Sequence, residues 1–269
     1  MAPLIVGYWS IRGLGAPLRL MCEYANVGYE SRLHNVEAKQ DGTYDMSDWH
    51  VPKAELKKKQ PLINLPYVID DGVIVTQSNA CMEYLGEKFG LMGTNPVERS
   101  ECTMLLCQVK DLRDDCTGTF YPRGNDPDAL GKLMDNMSLV KLENWLAAKG
   151  TTYLLGETPN APDFHLWEML DQLNEASAYA ANKASPFSGR PNLKKLYDAF
   201  LSLPCMKSYV SSGLAGLPST FNEKNLQLGN HGPICVDCAA FWTVPCAPLA
   251  LIVCKPSLLL TSISALGNT

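Results

Sequence analysis

Apolar and polar positions follow two rhythms along this chain, and the rhythm changes near residue 96. Residues 3–9 form a short apolar run that stops at a glycine-containing turn, the pattern of a buried strand. Residues 16–27 put Leu18, Leu20, Met21, Tyr24 and Ala25 at helical spacing, and residues 29–36 alternate like a second strand. Residues 37–60 are polar and too irregular for a single element. Residues 65–75 read as two strands joined at Asp71-Gly72, and residues 76–89 as a helix opened by polar side chains. The predicted order is βαβ, then ββα. Beyond Pro96 no strand rhythm returns: residues 98–121, 127–148, 160–176 and 191–203 repeat apolar positions about every 3.6 residues. Asn160-Ala161-Pro162-Asp163 has the makings of a helix start, with Asn as cap, Pro in the first turn and Asp three positions on. The pattern predicts a small α/β unit over 1–88, a linker over 89–96 and a larger all-helical unit over 97–229.

Composition adds bounds. A chain of 269 residues is long enough for two compact units. With 23 Lys and Arg against 28 Asp and Glu, the net charge is −5, which argues against nucleic acid or an anionic membrane as the main partner. Residues 230–269 differ from the rest, holding two charged residues, Asp237 and Lys255, but four cysteines, at 235, 238, 246 and 254. Residues 234–254 approach the ~20 residues of a membrane span, but Asp237, Pro245 and Pro248 interrupt them. A loosely packed or unstructured extension is the expectation there. The first residues lack a basic flank and a long apolar run, so no secretory signal is expected. The body cysteines, at 22, 81, 102, 107, 116 and 205, fall in apolar or helical stretches, as reduced thiols of a cytoplasmic protein would.

The candidate chemistry, taken residue by residue, leaves alternatives open. Tyr8 ends the first strand, where its hydroxyl could donate to a thiolate or sit as the tip of a core aromatic. Gln77-Ser78 opens a helix whose free N–H groups suit a carboxylate, or merely cap it. Leu65-Pro66 before a strand is an ordinary trans turn or a cis turn that leaves the Leu65 backbone for a ligand. Arg12, Trp49 and Lys53 could donate to an acidic ligand, the last two sharing a helix face. Lys57-Lys58-Lys59 reads as a solvated face. Four histidines without H-x-x-x-H spacing, a lone Cys235–Cys238 pair, and no G-x-S-x-G or P-loop argue against metal and hydrolase chemistry.

Together the pieces Gly7-Tyr8-Trp9-Ser10-Ile11-Arg12-Gly13-Leu14, Trp49 with Lys53, Asn64-Leu65-Pro66-Tyr67 and Gln77-Ser78-Asn79-Ala80 resemble the cytosolic glutathione S-transferases, the mu class most closely. The helical half extends the resemblance through Asp111, Tyr121, Gly156, Asp163-Phe164 and Phe221-Asn222-Glu223-Lys224, so that it covers about 1–226. It implies a thioredoxin-like N-terminal domain, an all-helical C-terminal domain and a dimer. It implies glutathione as co-substrate without a further cofactor, and hydrophobic electrophiles as the second substrate. Tyr8 would stabilise the glutathione thiolate. Trp9, Trp49 and Lys53 would hold the glycine carboxylate, and Asn64 and Leu65 before a cis Pro66 would pair with the tripeptide backbone. Gln77 and Ser78 would take the γ-glutamyl carboxylate, and Asp111 the γ-glutamyl ammonium bound to the partner subunit. Tyr121 would line the electrophile pocket.

The chain departs from the class pattern at Met46, where an arginine is usual, and at Leu62, where an aromatic usually enters the partner subunit. The first departure removes a contact worth about 1–3 kcal/mol if charge-assisted. The stretch from Trp49 to Asn64 is also longer than the pattern. Two other functions share the scaffold: a ligandin-like carrier with little turnover and a glutathione-dependent isomerase. Ser10 is the rival hydroxyl to Tyr8.

Overall fold

The computed structural model describes residues 3–40, 43–123 and 126–220. Phe221 to Lys224, the Cys235–Cys238 pair and the expected extension over 230–269 lie outside the described residues. Strand β1 (Leu4–Trp9) leads into α1 (Gly15–Tyr24) and β2 (Tyr29–His34), then through the short pair β3 (Glu37–Ala38) and β4 (Tyr44–Asp45) into α2 (Ser47–Lys57). Strands β5 (Tyr67–Asp70) and β6 (Val73–Thr76) follow, then α3 (Ser78–Phe89). The main sheet runs β2-β1-β5-β6. β1 and β2 are parallel from Leu4↔Tyr29 to Trp9↔His34, whereas β5 pairs antiparallel with β1 and with β6. Asp71 and Gly72 both take positive φ, 46° and 88°, so the β5–β6 turn has the twist that favours tight hairpins.

The rest of the described chain is helical: α4 (Pro96–Arg123), α5 (Pro127–Leu133), α6 (Met137–Lys149), α7 (Ala161–Ser177), α8 (Pro191–Leu201) and α9 (Pro204–Ser211). α7 is buried on every side from Ala161 to Leu170, as expected of a central helix. α4 turns the stripe Cys102, Leu105, Leu106, Val109, Leu112, Cys116 and Phe120 onto it, while α1 packs on α7 and α9. One continuous core therefore runs from β1 and α1 into the helical half.

One expectation needs correction, and several elements add to the predicted order. The helix expected over 127–148 is two helices, because Asn136 accepts from the Ser138 N–H at 2.7 Å and starts α6 afresh. Its amide also donates to Asp115 at 2.7 Å, which ties the break to α4. Residues 37–60, too irregular for a single element, hold β3, β4 and the eleven-residue α2, none of them in the predicted order. Only Trp49 of α2 is buried, so the helix lacks an apolar stripe, and Pro52 sits inside it. Pro52 has no N–H to offer the Asp48 carbonyl; His34 Nδ1 meets that carbonyl instead, at 2.9 Å. α9 was not anticipated either. The six body cysteines are free thiols, all buried except Cys107. Burial pushes Cys81 and Cys102 up to about 12, which makes them inert core thiols.

Candidate functional site

Four of the ten predicted site residues, Tyr8, Trp9, Trp49 and Leu65, meet at the end of β1. Tyr8, Trp9, Leu14, Trp49, Ile63, Leu65 and Tyr67 form a buried cluster separate from the main core, with Met46 packed against it. Backbone economy makes the convergence possible. A Cβ on Gly7 would lie 2.1 Å from the Tyr67 ring, so only glycine lets that ring cross β1. Tyr67 in turn stacks on Trp49, with centroids 5.6 Å apart and planes at 18°, and so seats α2 on the sheet. His34 locks the pair. A carbonyl can only accept, so Nδ1 carries the proton to Asp48 O, and Nε2 accepts from the Tyr67 hydroxyl at 3.2 Å. Burial lowers the His34 pKa, in keeping with this neutral form. Lys53 Nζ stands 5.7 Å over the Trp49 ring; burial, then Lys57, lowers its pKa.

The Tyr8 ring is closely walled. A Cβ on Gly13 would come within 2.7 Å of Tyr8 Cε1 and 3.1 Å of its hydroxyl oxygen, and Gly13 has φ +38°. Ser10, the rival hydroxyl, is half-buried, its N–H donating to the His34 carbonyl at 2.8 Å. Across the site the Leu65-Pro66 bond is cis. Asn64 is not free to pair through its backbone: its N–H donates to Thr76 Oγ1 at 3.1 Å, and the same hydroxyl donates to the Asn64 carbonyl at 2.9 Å. The Leu65 N–H and C=O make no backbone bond among the described residues. Thr76 thus sets which peptide is left available, and nothing in the sequence singled it out. Next to it, Gln77 adopts φ 76° and is exposed, and Ser78 begins α3, whose first N–H groups have no intrahelical partner.

Three residues fall elsewhere. Arg12, named as a donor to an acidic ligand, is instead committed to the protein: its guanidinium bonds Glu168 and Asp171 at 2.8 and 2.6 Å. Asp111 is exposed and Tyr121 half-buried on α4, outside the cluster. A cavity of about 710 Å³, walled by Arg32, His34, Asn35, Asp48 and Val51, contains no cluster residue. Two of its acidic groups are already engaged, Asp48 by the Asn35 N–H and Asp45 by the Ser47 N–H.

Residues 5–87 match a family model described as the N-terminal domain of glutathione S-transferase, and residues 111–213 match the corresponding C-terminal domain. The chain is 32% identical over 236 residues to glutathione S-transferase Mu 6 of Mus musculus, covering 85% of this chain and all of that one. It is 34% identical over 218 residues to glutathione S-transferase B of Cavia porcellus, covering 78% and 92%. Among solved structures it is similar to the glutathione S-transferase of Ascaris lumbricoides, with TM-score 0.61 and 27% identity over 78% of this chain and 97% of that one. The thioredoxin-like fold of the N-terminal half and the helical C-terminal half are therefore both those of these relatives.

Proposed function

The chain belongs to the glutathione S-transferase family and conjugates glutathione to electrophiles, and from that premise we propose that Tyr8 supplies the hydroxyl that stabilises the glutathione thiolate. Glutathione is the co-substrate, and the chemistry needs no other cofactor. A free thiol with a pKa near 8.5 is mostly protonated at neutral pH, yet the thiolate is the nucleophile. A hydroxyl that donates to the sulfur favours its charged form. Lowering the thiol by about two units corresponds to about 2.7 kcal/mol and leaves most of it ionised at pH 7. The thiolate attacks the electrophilic carbon, a C–S bond forms, the leaving group departs with the bonding pair, and the thiol proton passes to solvent.

The observation that carries this reading is the shared cluster of Tyr8, Trp9, Trp49 and Leu65 at the end of β1, with Thr76, just before Gln77 and α3, bonded to Asn64 next to Leu65. Trp9, Trp49 and Lys53 hold the glycine carboxylate. Met46 packs against the cluster and cannot offer the charge-assisted bond of an arginine. Leu65 pairs with the tripeptide backbone, and Asn64, its own peptide tied to Thr76, contributes only its side chain. Gln77 and Ser78 receive the γ-glutamyl carboxylate at the positive end of α3.

Asp111 reaches the glutathione of a second copy, and Tyr121 lines the electrophile pocket. The exposed apolar side chains Leu62, Val73 and Met104 support a homodimer. A detoxifying role in the cytoplasm fits the free thiols and the absence, among the described residues, of a helix long and apolar enough to cross a membrane. A monomer at micromolar concentration in sedimentation equilibrium would remove the dimer, and with it the role of Asp111.

Ultraviolet titration of bound glutathione tests the centre of the proposal. In the wild type the thiol pKa should fall well below its free value; Tyr8→Phe should raise it by about two units and cut kcat about 100-fold at neutral pH. Loss of the shift in Ser10→Ala alone would transfer the role to Ser10. Tight binding without any shift would favour a carrier.

A further inference from the structure

The turn that follows β1 is gripped by two buried guanidinium groups. Arg19, fully buried on α1, donates through Nη1 to the Ile11 carbonyl at 3.1 Å and through Nη2 to the Trp9 carbonyl at 3.5 Å. Arg12 reaches out of the turn to α7. Its Nε and Nη2 donate to Glu168 Oε2 at 3.2 and 2.8 Å, and Nη2 also donates to Asp171 Oδ2 at 2.6 Å. The acceptors are themselves held: Gln172 donates to the other Glu168 oxygen at 2.7 Å, and the Tyr197 hydroxyl to the other Asp171 oxygen at 2.7 Å. The Arg12 N–H donates to the Pro218 carbonyl at 2.8 Å, which ties the same turn to the segment after α9.

The residue after Arg12 is Gly13, whose backbone lies against the Tyr8 phenol with no room for a methyl group. In a close-packed interior a shift of a few tenths of an ångström in that turn has to be met by the ring. We propose that Arg12 is a positioning residue for Tyr8: anchored to Glu168 and Asp171, it holds the Gly13 turn against the phenol and so fixes where the hydroxyl points. The proposal rests on Tyr8 as the thiolate donor. Burying a charge pair is a poor way to gain stability, because desolvation offsets most of the attraction. A geometric task accounts for keeping one here, where a helix of the C-terminal half is coupled to the turn beside the Tyr8 hydroxyl. Burial alone would lower the Arg12 pKa; Glu168 and Asp171 more than offset it, so the guanidinium stays charged.

The test is Arg12→Gln combined with Glu168→Gln, which removes the charges of that pair, leaves the part-exposed Asp171 carboxylate, and keeps polar side chains of similar size. Full-length wild type, this double variant, Asp171→Asn and Tyr8→Phe are compared by thiol titration of bound glutathione, by kcat and KM with an activated aryl chloride, and by thermal unfolding. In the double variant the thiol pKa should rise by about one unit and kcat at neutral pH fall about 10-fold, with KM for glutathione within about twofold. The kcat–pH profile should move up by the same amount, and Asp171→Asn should show a smaller shift in the same direction. An Arg12→Lys variant that restores part of the shift would support the latch. An unchanged thiol pKa with only a lower melting temperature makes Arg12 a structural residue and overturns the proposal, as does a rise confined to KM. Should the double variant not fold, Asp171→Asn decides alone. If Tyr8→Phe leaves the thiol pKa in place, the thiolate-donor reading fails, and the positioning role fails with it.

Discussion

Among the described residues two histidines are almost completely buried, one in each half of the molecule, and they are treated in opposite ways. His34, in the sheet half, is 2% exposed, and both ring nitrogens are engaged, one by the Asp48 carbonyl and one by the Tyr67 hydroxyl. His165, in the middle of α7, is 1% exposed, and neither nitrogen has a partner among the described residues. Buried polar groups without partners cost about 1–3 kcal/mol each, so the two sites differ in sign as well as in size. Around the Tyr8 cluster polar side chains set geometry. His34 fixes Tyr67, Tyr67 fixes Trp49, and Thr76 fixes the peptide before Leu65. On the α4-facing side of α7, by contrast, a polar ring occupies a place that an aliphatic side chain would fill.

The contrast breaks most visibly at His34. His34→Leu removes both bonds, leaving the Tyr67 hydroxyl without its acceptor and the Asp48 carbonyl without a donor, since Pro52 has no N–H to give. We expect a loss of about 3 kcal/mol in urea unfolding, because two polar groups lose their partners at once. Glutathione KM should rise as well, because the Trp49 ring is stacked on Tyr67 and leans on His34. A variant as stable as the wild type would mean that His34 fills space and orients nothing.

This contrast also marks what sequence could and could not disclose. The apolar rhythm of residues 3–9 and 65–75 revealed β1, β5, β6 and the Asp71-Gly72 turn, because each is a local pattern. Tyr8, Trp49, Leu65, Gln77 and Ser78 are grouped as a proposed site only through resemblance, since singly each has a commoner structural use. α2 escaped notice because its stability comes from Trp49 and from the His34 contact with Asp48, not from a periodic stripe. Arg12 could be weighed only as one possible donor to an acidic ligand, because its partner Glu168 lies 156 positions away. Long-range pairing of this kind leaves no local trace, and the same holds for Thr76, which looks like any strand-ending threonine until Asn64 is seen to fold onto it.

The smaller effect lies at His165 and has the opposite sign. Burial, followed by Arg113 and Lys110 on α4, lowers its pKa from 6.5 to about 3. The folded protein therefore binds this proton less readily than the unfolded chain, so the site's contribution is complete above pH 6.5 and is lost as pH falls toward 3. Asp163, two residues earlier, runs the other way: burial raises it to about 7 although the Asn160 and Leu154 N–H groups donate to it, so its contribution falls as pH rises through 7. Between these limits the two slopes oppose each other in the wild type, and a single pH curve would hide both. The difference between wild type and His165→Leu isolates one of them, because every other group is common to both chains. At pH 7 His165→Leu should gain about 1 kcal/mol in urea unfolding, as an unpartnered polar ring gives way to a hydrocarbon of similar size. That advantage should widen steadily below pH 6.5, where only the wild type must keep an unprotonated imidazole folded. A difference that stays flat with pH would mean that His165 takes up its proton in the folded state, which requires an acceptor or water at its ring; a loss of stability at pH 7 would mean that the ring is already satisfied there.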